Sequence, residues 1–107
     1  KKVTVTGGAL AESAFANCSN LTSVTIPNSV TSIGVFAFDG CKGLTNVTIG
    51  NSVTKISFSA FEGCPKLKYV YYQGDIEDWL SISFNDLYGN PCNYGANLYF
   101  NNKLVTN

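Results

Sequence analysis

The sequence predicts an α/β solenoid, a right-handed superhelix of short coils with a parallel sheet on its concave face. Three observations lead to it: a 23-residue period, a strand pattern within each period, and a turn-forming residue before each strand. The period is visible in residues 13–33, 36–56 and 59–79, which align without gaps. We expect turns and short helical pieces on the other side of the solenoid, and an irregular coil at its C-terminal end.

The composition fits one packed domain and argues against several function classes. The 107 residues are 45% hydrophobic and 13% charged, which favours a buried core over disorder. Seven lysines balance seven acids, so no basic face for nucleic acid is predicted. There is no histidine to activate a nucleophile or complete a common zinc site. We therefore expect no catalytic residue, metal, cofactor or nucleic-acid partner, and no membrane insertion of this segment.

Equivalent positions of the periods carry the same apolar residue types. These columns are Phe15/Phe38/Phe61, Cys18/Cys41/Cys64, Leu21/Leu44/Leu67 and Val24/Val47/Val70. We expect one buried stack of phenylalanines and a column of buried free thiols, because cysteine commonly acts as a small apolar core residue. The alternatives are a redox or metal function of this column, or a disulfide from Cys64 to Cys92, which lies off the period.

Each coil is predicted to hold a helical turn, a left-handed residue and a strand. The turn is expected over segments such as 12–15, and it ends at Asn17, Gly40 or Gly63, residue types that tolerate positive φ. Alternation in the following strand directs Val24 into the core and Thr25 outward.

The recurring pattern A-F-x-x-C-x-x-L-x-x-V-x-I resembles the BspA-type leucine-rich repeat over residues 3 to about 72. Members of that family are usually secreted or surface-attached proteins of bacteria and some protists, associated with adhesion to host matrix proteins or to other cells. The resemblance implies a leucine-rich-repeat solenoid located outside the cell or on its surface. It also implies a non-enzymatic recognition module of an adhesin, which binds a host protein or glycan through the concave face. The alternative is a purely structural spacer without a ligand of its own.

Residues 1–107 are expected to form a single, monomeric leucine-rich-repeat domain. Its regular repeats span about 3–72 and an irregular terminal repeat spans about 73–107. The chain lacks an initiator methionine, so we expect it to be a fragment of a longer chain. The first coil has a corner two residues shorter than the next, and we expect Gly7 and Gly8 to form that tighter corner.

After Tyr72 the pattern changes to a short helix, a loop and a hairpin. Asp75 is predicted to cap the helix, whose apolar face is Ile76, Trp79 and Leu80. Trp79 stands 23 residues after Ile56, so we expect it to seal the core. Acidic residues cluster in this segment: Asp75, Glu77, Asp78 and Asp86. They are too few for a calcium loop, and a solvated helix N-terminus is the better interpretation.

The candidate binding residues are the outward positions of the periodic strands. They are Ser23, Thr25, Asn46, Thr48, Tyr69 and Tyr71. Threonine is a good exposed strand residue and needs no ligand to explain it. Exposed aromatic side chains favour recognition, so the two tyrosines are the strongest candidates, provided that the irregular segment does not cover them.

Overall fold

The computed structural model describes residues 2–5, 7–84, 91–92, 96–101 and 103–105. Within these ranges the strands are β1 (Lys2–Thr4), β2 (Ala9–Leu10), β3 (Ser23–Ile26), β4 (Ser32–Ile33), β5 (Asn46–Ile49), β6 (Lys55–Ile56), β7 (Tyr69–Tyr72), β8 (Ser83–Phe84), β9 (Asn97–Phe100) and β10 (Lys103–Val105). The helix α1 spans Ile76–Leu80. The chain is a solenoid, as the period predicts, and few of its residues are helical.

The long strands form a six-stranded sheet in the order β1-β3-β5-β7-β9-β10. Its first five strands are parallel, and the register between β3 and β5 pairs Val24 with Val47, one 23-residue period apart. The last strand, β10, runs antiparallel to β9, which confirms the predicted terminal hairpin. The predicted parallel sheet is therefore present, and it extends beyond the regular repeats.

A second parallel sheet, in the order β2-β4-β6-β8, lies on another side of each coil. Turns and short helical pieces were expected there. Each of its strands is only two residues long, with one of the two directed inward, as in Ile33 and Ile56. Alternation over two residues is too short to distinguish a strand from a turn, so the sequence pattern does not reveal this sheet.

The predicted helical turn before each long strand is wrong. Ser13, Phe36 and Ser59 have φ of 56°, 56° and 52°, which no α-helix contains. The predicted left-handed residues are confirmed at the end of the same segment, with φ of 61° at Asn17 and 74° at both Gly40 and Gly63. Instead of bonding only within a helix, amides of this segment donate to carbonyls of the following coil. Phe15 N, for example, lies 2.8 Å from Ala37 O.

The apolar columns fill the interior between the sheets and the turns. Phe15 and Phe38 stack with ring centroids 5.5 Å apart and an interplanar angle of 4°. Phe38 and Phe61 stack at 5.1 Å and 12°. Phe38 and Phe61 are fully buried, whereas Phe15, in the first coil, is half-buried. The predicted stack of phenylalanines is confirmed, and it is closed from solvent in the second and third coils.

The segment after Tyr72 has the residue spacing of a regular coil plus an insertion of five residues. Ile49 and Ile56 are seven residues apart in the sequence. Tyr72, the register partner of Ile49, and Phe84, the register partner of Ile56, are twelve residues apart. The helix α1 is five residues long and lies within this interval. After it the normal spacing resumes, because Phe84 to Phe100 and Ile56 to Tyr72 are both sixteen residues.

This insertion corrects the expected position of Trp79. Phe84, not Trp79, is the register partner of Ile56. Trp79 is nevertheless buried, and it contacts the rings of Tyr72 and Phe84 at centroid distances of 5.2 and 5.7 Å. Trp79 thus fills the core between the two sheets, as predicted, but it belongs to helix α1 and not to a strand of the second sheet.

For helix α1 the predicted N-cap is confirmed, whereas the predicted apolar face is wrong. Asp75 is its N-cap, and its Oδ1 accepts a hydrogen bond from Asp78 N at 3.0 Å. The predicted apolar face is wrong for two of its three members, because Ile76 is 53% and Leu80 is 74% exposed. A five-residue helix has too few turns to bury a full stripe, and only Trp79 faces inward.

The predicted tight corner at the start of the chain is present. Gly7 has φ of 101°, a conformation that strongly favours glycine. This corner lets β1 and β2 keep register with β3 and β4 although two residues are missing between them.

Candidate recognition surface

The outward side of the six-stranded sheet carries the predicted binding residues. Strands β3, β5, β7 and β9 each place their second residue in the core and their first and third residues on the outer face. We call these eight outer positions the outward array. Its members are Ser23, Thr25, Asn46, Thr48, Tyr69, Tyr71, Asn97 and Tyr99. All six residues predicted from the sequence lie in the array.

Two members of the array, Asn97 and Tyr99, were not predicted. The five-residue insertion moves them out of the 23-residue period, so alignment by the period alone does not find them. The signal that could have identified them is the similarity of YVYY at residues 69–72 to NLYF at 97–100, at a spacing of 28 residues.

The tyrosines of the array form one cluster, which we call the tyrosine patch: Tyr69, Tyr71 and Tyr99. Tyr71 and Tyr99 are register partners with stacked rings, whose centroids are 4.9 Å apart. Tyr69 lies 6.4 Å from Tyr71 and 6.5 Å from Tyr99, measured between ring centroids. Tyr69 is 39% exposed and the other two rings are half-buried. The patch is therefore a preorganised aromatic surface that remains open to solvent.

The helix α1 does not lie over the tyrosine patch. Its one buried residue, Trp79, packs on Tyr72, which points from β7 into the core, opposite to Tyr71. Gly74 supports this route of the chain, because a Cβ atom there would lie 2.8 Å from the Tyr72 ring. The chain thus leaves β7 on the core side of the strand and crosses to the second sheet.

The rest of the array consists of small polar side chains. Ser23 Oγ donates a hydrogen bond to Asn46 Oδ1 at 2.7 Å, which joins two neighbouring coils. Asn46 Nδ2 lies 3.4 Å from Thr45 Oγ1. Thr25 and Thr48 are register partners and both are half-buried. The outward side chains of β3 and β5 thus form a polar surface of small residues beside the tyrosine patch.

The cysteine column is built as a structural element. None of the four cysteines forms a disulfide, so the bond considered between Cys64 and Cys92 is absent. Cys41 Sγ donates to Phe15 O at 3.1 Å, and Cys64 Sγ donates to Phe38 O at 3.2 Å, so each thiol bonds to the preceding coil. Burial raises the pKa of Cys41 to about 11 and that of Cys64 to about 12. Neutral, hydrogen-bonded thiols of this kind are poor nucleophiles.

Two features of the column differ from the prediction. Cys18 is half-buried, because the first coil has a neighbour on one side only in this structure. Cys92 belongs to the column after all, since it stands eight residues before Phe100, as Cys64 stands eight before Tyr72. The insertion of α1 hides this equivalence in the sequence.

Native labelling should separate these thiols into two classes. Cys41 and Cys64 should resist N-ethylmaleimide in the folded protein, because they are fully buried and their pKa values are raised, and they should react fully after denaturation. Cys18 should react earlier than both, since it is half-buried. Peptide mass spectrometry after timed labelling measures the order. Labelling of Cys64 at the rate found in denaturant would contradict the buried column.

The remaining features of the described part of the chain offer no alternative site. A cleft at the exposed side of the first coil is lined by Val3, Phe15, Asn17, Cys18, Ser19, Asn20 and Leu21. Within the described residues there is no cluster of metal-ligating side chains, and no helix has the length and apolarity to span a membrane. Asp86, one of the four acids considered for calcium, lies outside the described residues. Burial, followed by the nearby Glu62 carboxylate, raises the pKa of Asp39, but this pair lies in the turn segments and not on the outward array.

Comparison with known proteins identifies the repeat. The model of the BspA type leucine rich repeat region (6 copies) matches residues 8–104. A crystal structure of a leucine-rich repeat protein from T. pallidum is 27% identical, with a TM-score of 0.62, and the match covers 71% of this chain and 42% of that one. A leucine-rich repeat protein from Bacteroides ovatus shares the fold at 22% identity and a TM-score of 0.61, over 92% of this chain and 29% of that one. The chain thus spans less than half the length of either protein. No curated protein sequence matches it significantly. The agreement of the repeat model over nearly the whole chain with the observed solenoid shows that this chain belongs to the BspA-type leucine-rich repeat family.

Proposed function

We propose that this chain is a recognition module of a secreted or cell-surface adhesin, and that it binds a host protein or glycan through the outward array. As a leucine-rich-repeat chain it is a repeat module of the kind that mediates protein interactions. In this proposal residues 1–107 act as one monomeric domain of a longer protein. They bind without catalysis, in keeping with a family that is generally non-enzymatic.

The observation that carries the proposal is the exposed tyrosine patch. Threonine, serine and asparagine on β3 and β5 are what a sheet surface needs for stability alone. Large aromatic side chains at equivalent positions of β7 and β9 are not needed for that purpose, and they are enriched where proteins contact their partners. A spacer without a ligand would gain nothing from placing Tyr69 in solvent, because an exposed aromatic ring contributes little burial.

Replacing the outer residues of β7 by those of the earlier coils tests this function. The double variant Tyr69→Ser, Tyr71→Thr should lose adhesion to host matrix or host cells. Its melting temperature should stay within a few degrees of the parent, because neither ring is in the core and only the ring contacts within the tyrosine patch are lost. Adhesion is measured on matrix-coated plates, and the melting temperature by circular dichroism.

A matched control is Phe58→Ser, which removes a ring that is 47% exposed and belongs to the turn segment instead of the outward array. This control should adhere like the parent. Unchanged adhesion of the double variant, or a collapse of its stability, would remove the support for recognition. The structural spacer would then be the better explanation of the chain.

A further inference from the structure

The side chains of the outward array change from small to large between β5 and β7, and we call this boundary the step. On one side of the step the side chains are small and polar, as in Thr25 and Thr48, and on the other side they are tyrosines. Tyr71 stands directly beside Thr48 in the register. The array therefore has a low floor, formed by β3 and β5, and a wall, formed by the tyrosine patch.

The rings of the wall stack on one another, and the wall borders the floor where Tyr71 stands beside Thr48. Tyr71 and Tyr99 are stacked at 4.9 Å, which equals the spacing between neighbouring strands of about 4.8 Å. The planes of the two rings make an angle of 30°. Tyr99 covers one face of Tyr71. The register partner of Tyr71 on its other side is Thr48, a small residue that leaves room for a ligand beside the half-buried ring.

The floor supplies neutral hydrogen-bonding groups at fixed positions. The bond from Ser23 Oγ to Asn46 Oδ1 holds both side chains in place and fixes the orientation of the Asn46 amide. Thr25 and Thr48 add two hydroxyls two residues further along the same strands, and Thr48 stands beside Tyr71. Hydroxyl and amide groups both donate and accept, so the floor can pair with ligand hydroxyls in either role.

The outward array carries no formal charge. Its eight side chains are hydroxyls, amides and phenols. Two lysines border it: Lys68 lies one residue before β7, and Lys2 of β1 is the register partner of Ser23, on the side of β3 away from the tyrosine patch. An anionic ligand would find no positively charged side chain within the array itself. The array also lacks arginine, which is enriched in protein–protein interfaces together with aromatic residues. An uncharged ligand rich in hydroxyl groups is the class that complements it.

We propose that the step between Thr48 and Tyr71 binds a neutral oligosaccharide, a proposal that rests on the recognition function of the array and specifies its ligand. The apolar C–H face of a sugar ring packs against the Tyr71 ring from the side of Thr48, because these hydrogens carry partial positive charge and the aromatic face is negative. The sugar hydroxyls pair with Thr48, Asn46 and Thr25. The floor is two strand spacings wide, about 10 Å, which accommodates two consecutive hexose units.

Binding of defined sugars to the whole chain tests the proposal. Cellotetraose, mannotetraose and chitotetraose serve as neutral probes, and a heparin-derived tetrasaccharide serves as the charged comparison. Saturation-transfer NMR and calorimetric titration should detect binding of at least one neutral probe. The variant Tyr71→Thr, with an unchanged melting temperature, should weaken that binding at least tenfold, and Phe58→Ser should leave it unchanged. Absence of binding by all three neutral probes, preference for the heparin fragment, or binding that does not depend on Tyr71 would each overturn the proposal.

A second arm separates this proposal from the recognition function itself. A host matrix glycoprotein is presented before and after enzymatic removal of its glycans. Loss of capture after deglycosylation supports the oligosaccharide ligand. If the deglycosylated protein is captured equally well, and that capture still requires Tyr69 and Tyr71, the sugar proposal is overturned while recognition through the array stands. If neither form is captured and no sugar binds, both fail.

Discussion

Replacing Phe38 with alanine should lower the free energy of unfolding by about 3–5 kcal/mol, the range for removing a large buried aromatic side chain. Phe38 is fully buried and stacks on Phe15 at 5.5 Å and on Phe61 at 5.1 Å. The substitution therefore opens a cavity shared by three coils. Chemical denaturation with a two-state analysis provides the measurement.

The cavity should not collapse, because the backbone around it is held from both sides. Phe15 N donates to Ala37 O at 2.8 Å, and Phe38 N donates to Ala60 O at 2.8 Å, so neighbouring coils cannot approach without breaking these bonds. Phe15→Ala is the matched control, and it should cost clearly less, since Phe15 is half-buried. A loss below about 1 kcal/mol for Phe38→Ala would mean that the stack does not hold the coils together.

Raising the pH should destabilise the protein through Cys64. Burial raises the pKa of this thiol from 9.0 to about 12, and the thiolate could no longer donate to Phe38 O. Below the unfolded pKa both states hold the proton, and the stabilisation is fully present. Between the two pKa values only the folded state holds it, so the free energy of unfolding falls by about 1.4 kcal/mol per pH unit. The stabilisation is lost as the pH rises toward the folded pKa.

Comparison with Cys64→Ala isolates this contribution. Between about pH 9.5 and 11 the parent should lose about 2 kcal/mol more than the variant. The variant is less stable at neutral pH because it lacks the buried thiol and its hydrogen bond to Phe38 O, so the slope of the unfolding free energy against pH is the quantity to compare. Val70→Ala, which truncates a buried residue without a titrating group, should retain the full slope of the parent. Equal slopes for the parent and Cys64→Ala would show that ionising the Cys64 thiol costs the folded state no more than the unfolded state.

The period in the sequence determined the repeating core. In a solenoid each coil rests on the next, so every inward position must hold a side chain that fits the one above and below it. The columns of Phe38, Cys41 and Leu44 therefore repeat at a constant interval, and their burial can be predicted by counting. The outward positions of the first long strands follow from the same count, because side chains alternate along a strand. Four of the eight array positions lie in those regular strands, and Tyr69 and Tyr71 continue the series.

The tertiary structure decided what breaks the period. A count of residues cannot show that α1 is an insertion, because a helix of five residues adds length without adding a coil, and Trp79 occurs at the spacing of a core residue by coincidence. Only the pairing of β7 with β9 restores Cys92 to the thiol column and places Tyr99 on Tyr71.

The second sheet and the left-handed Phe36 likewise depend on hydrogen bonds to neighbouring coils, which local sequence preferences do not encode. The sequence by itself thus determined the core and the face on which the site lies, because both follow from a repeated local pattern. The tyrosine patch was completed by contacts between residues 28 positions apart, and such contacts exist only once the coils have stacked.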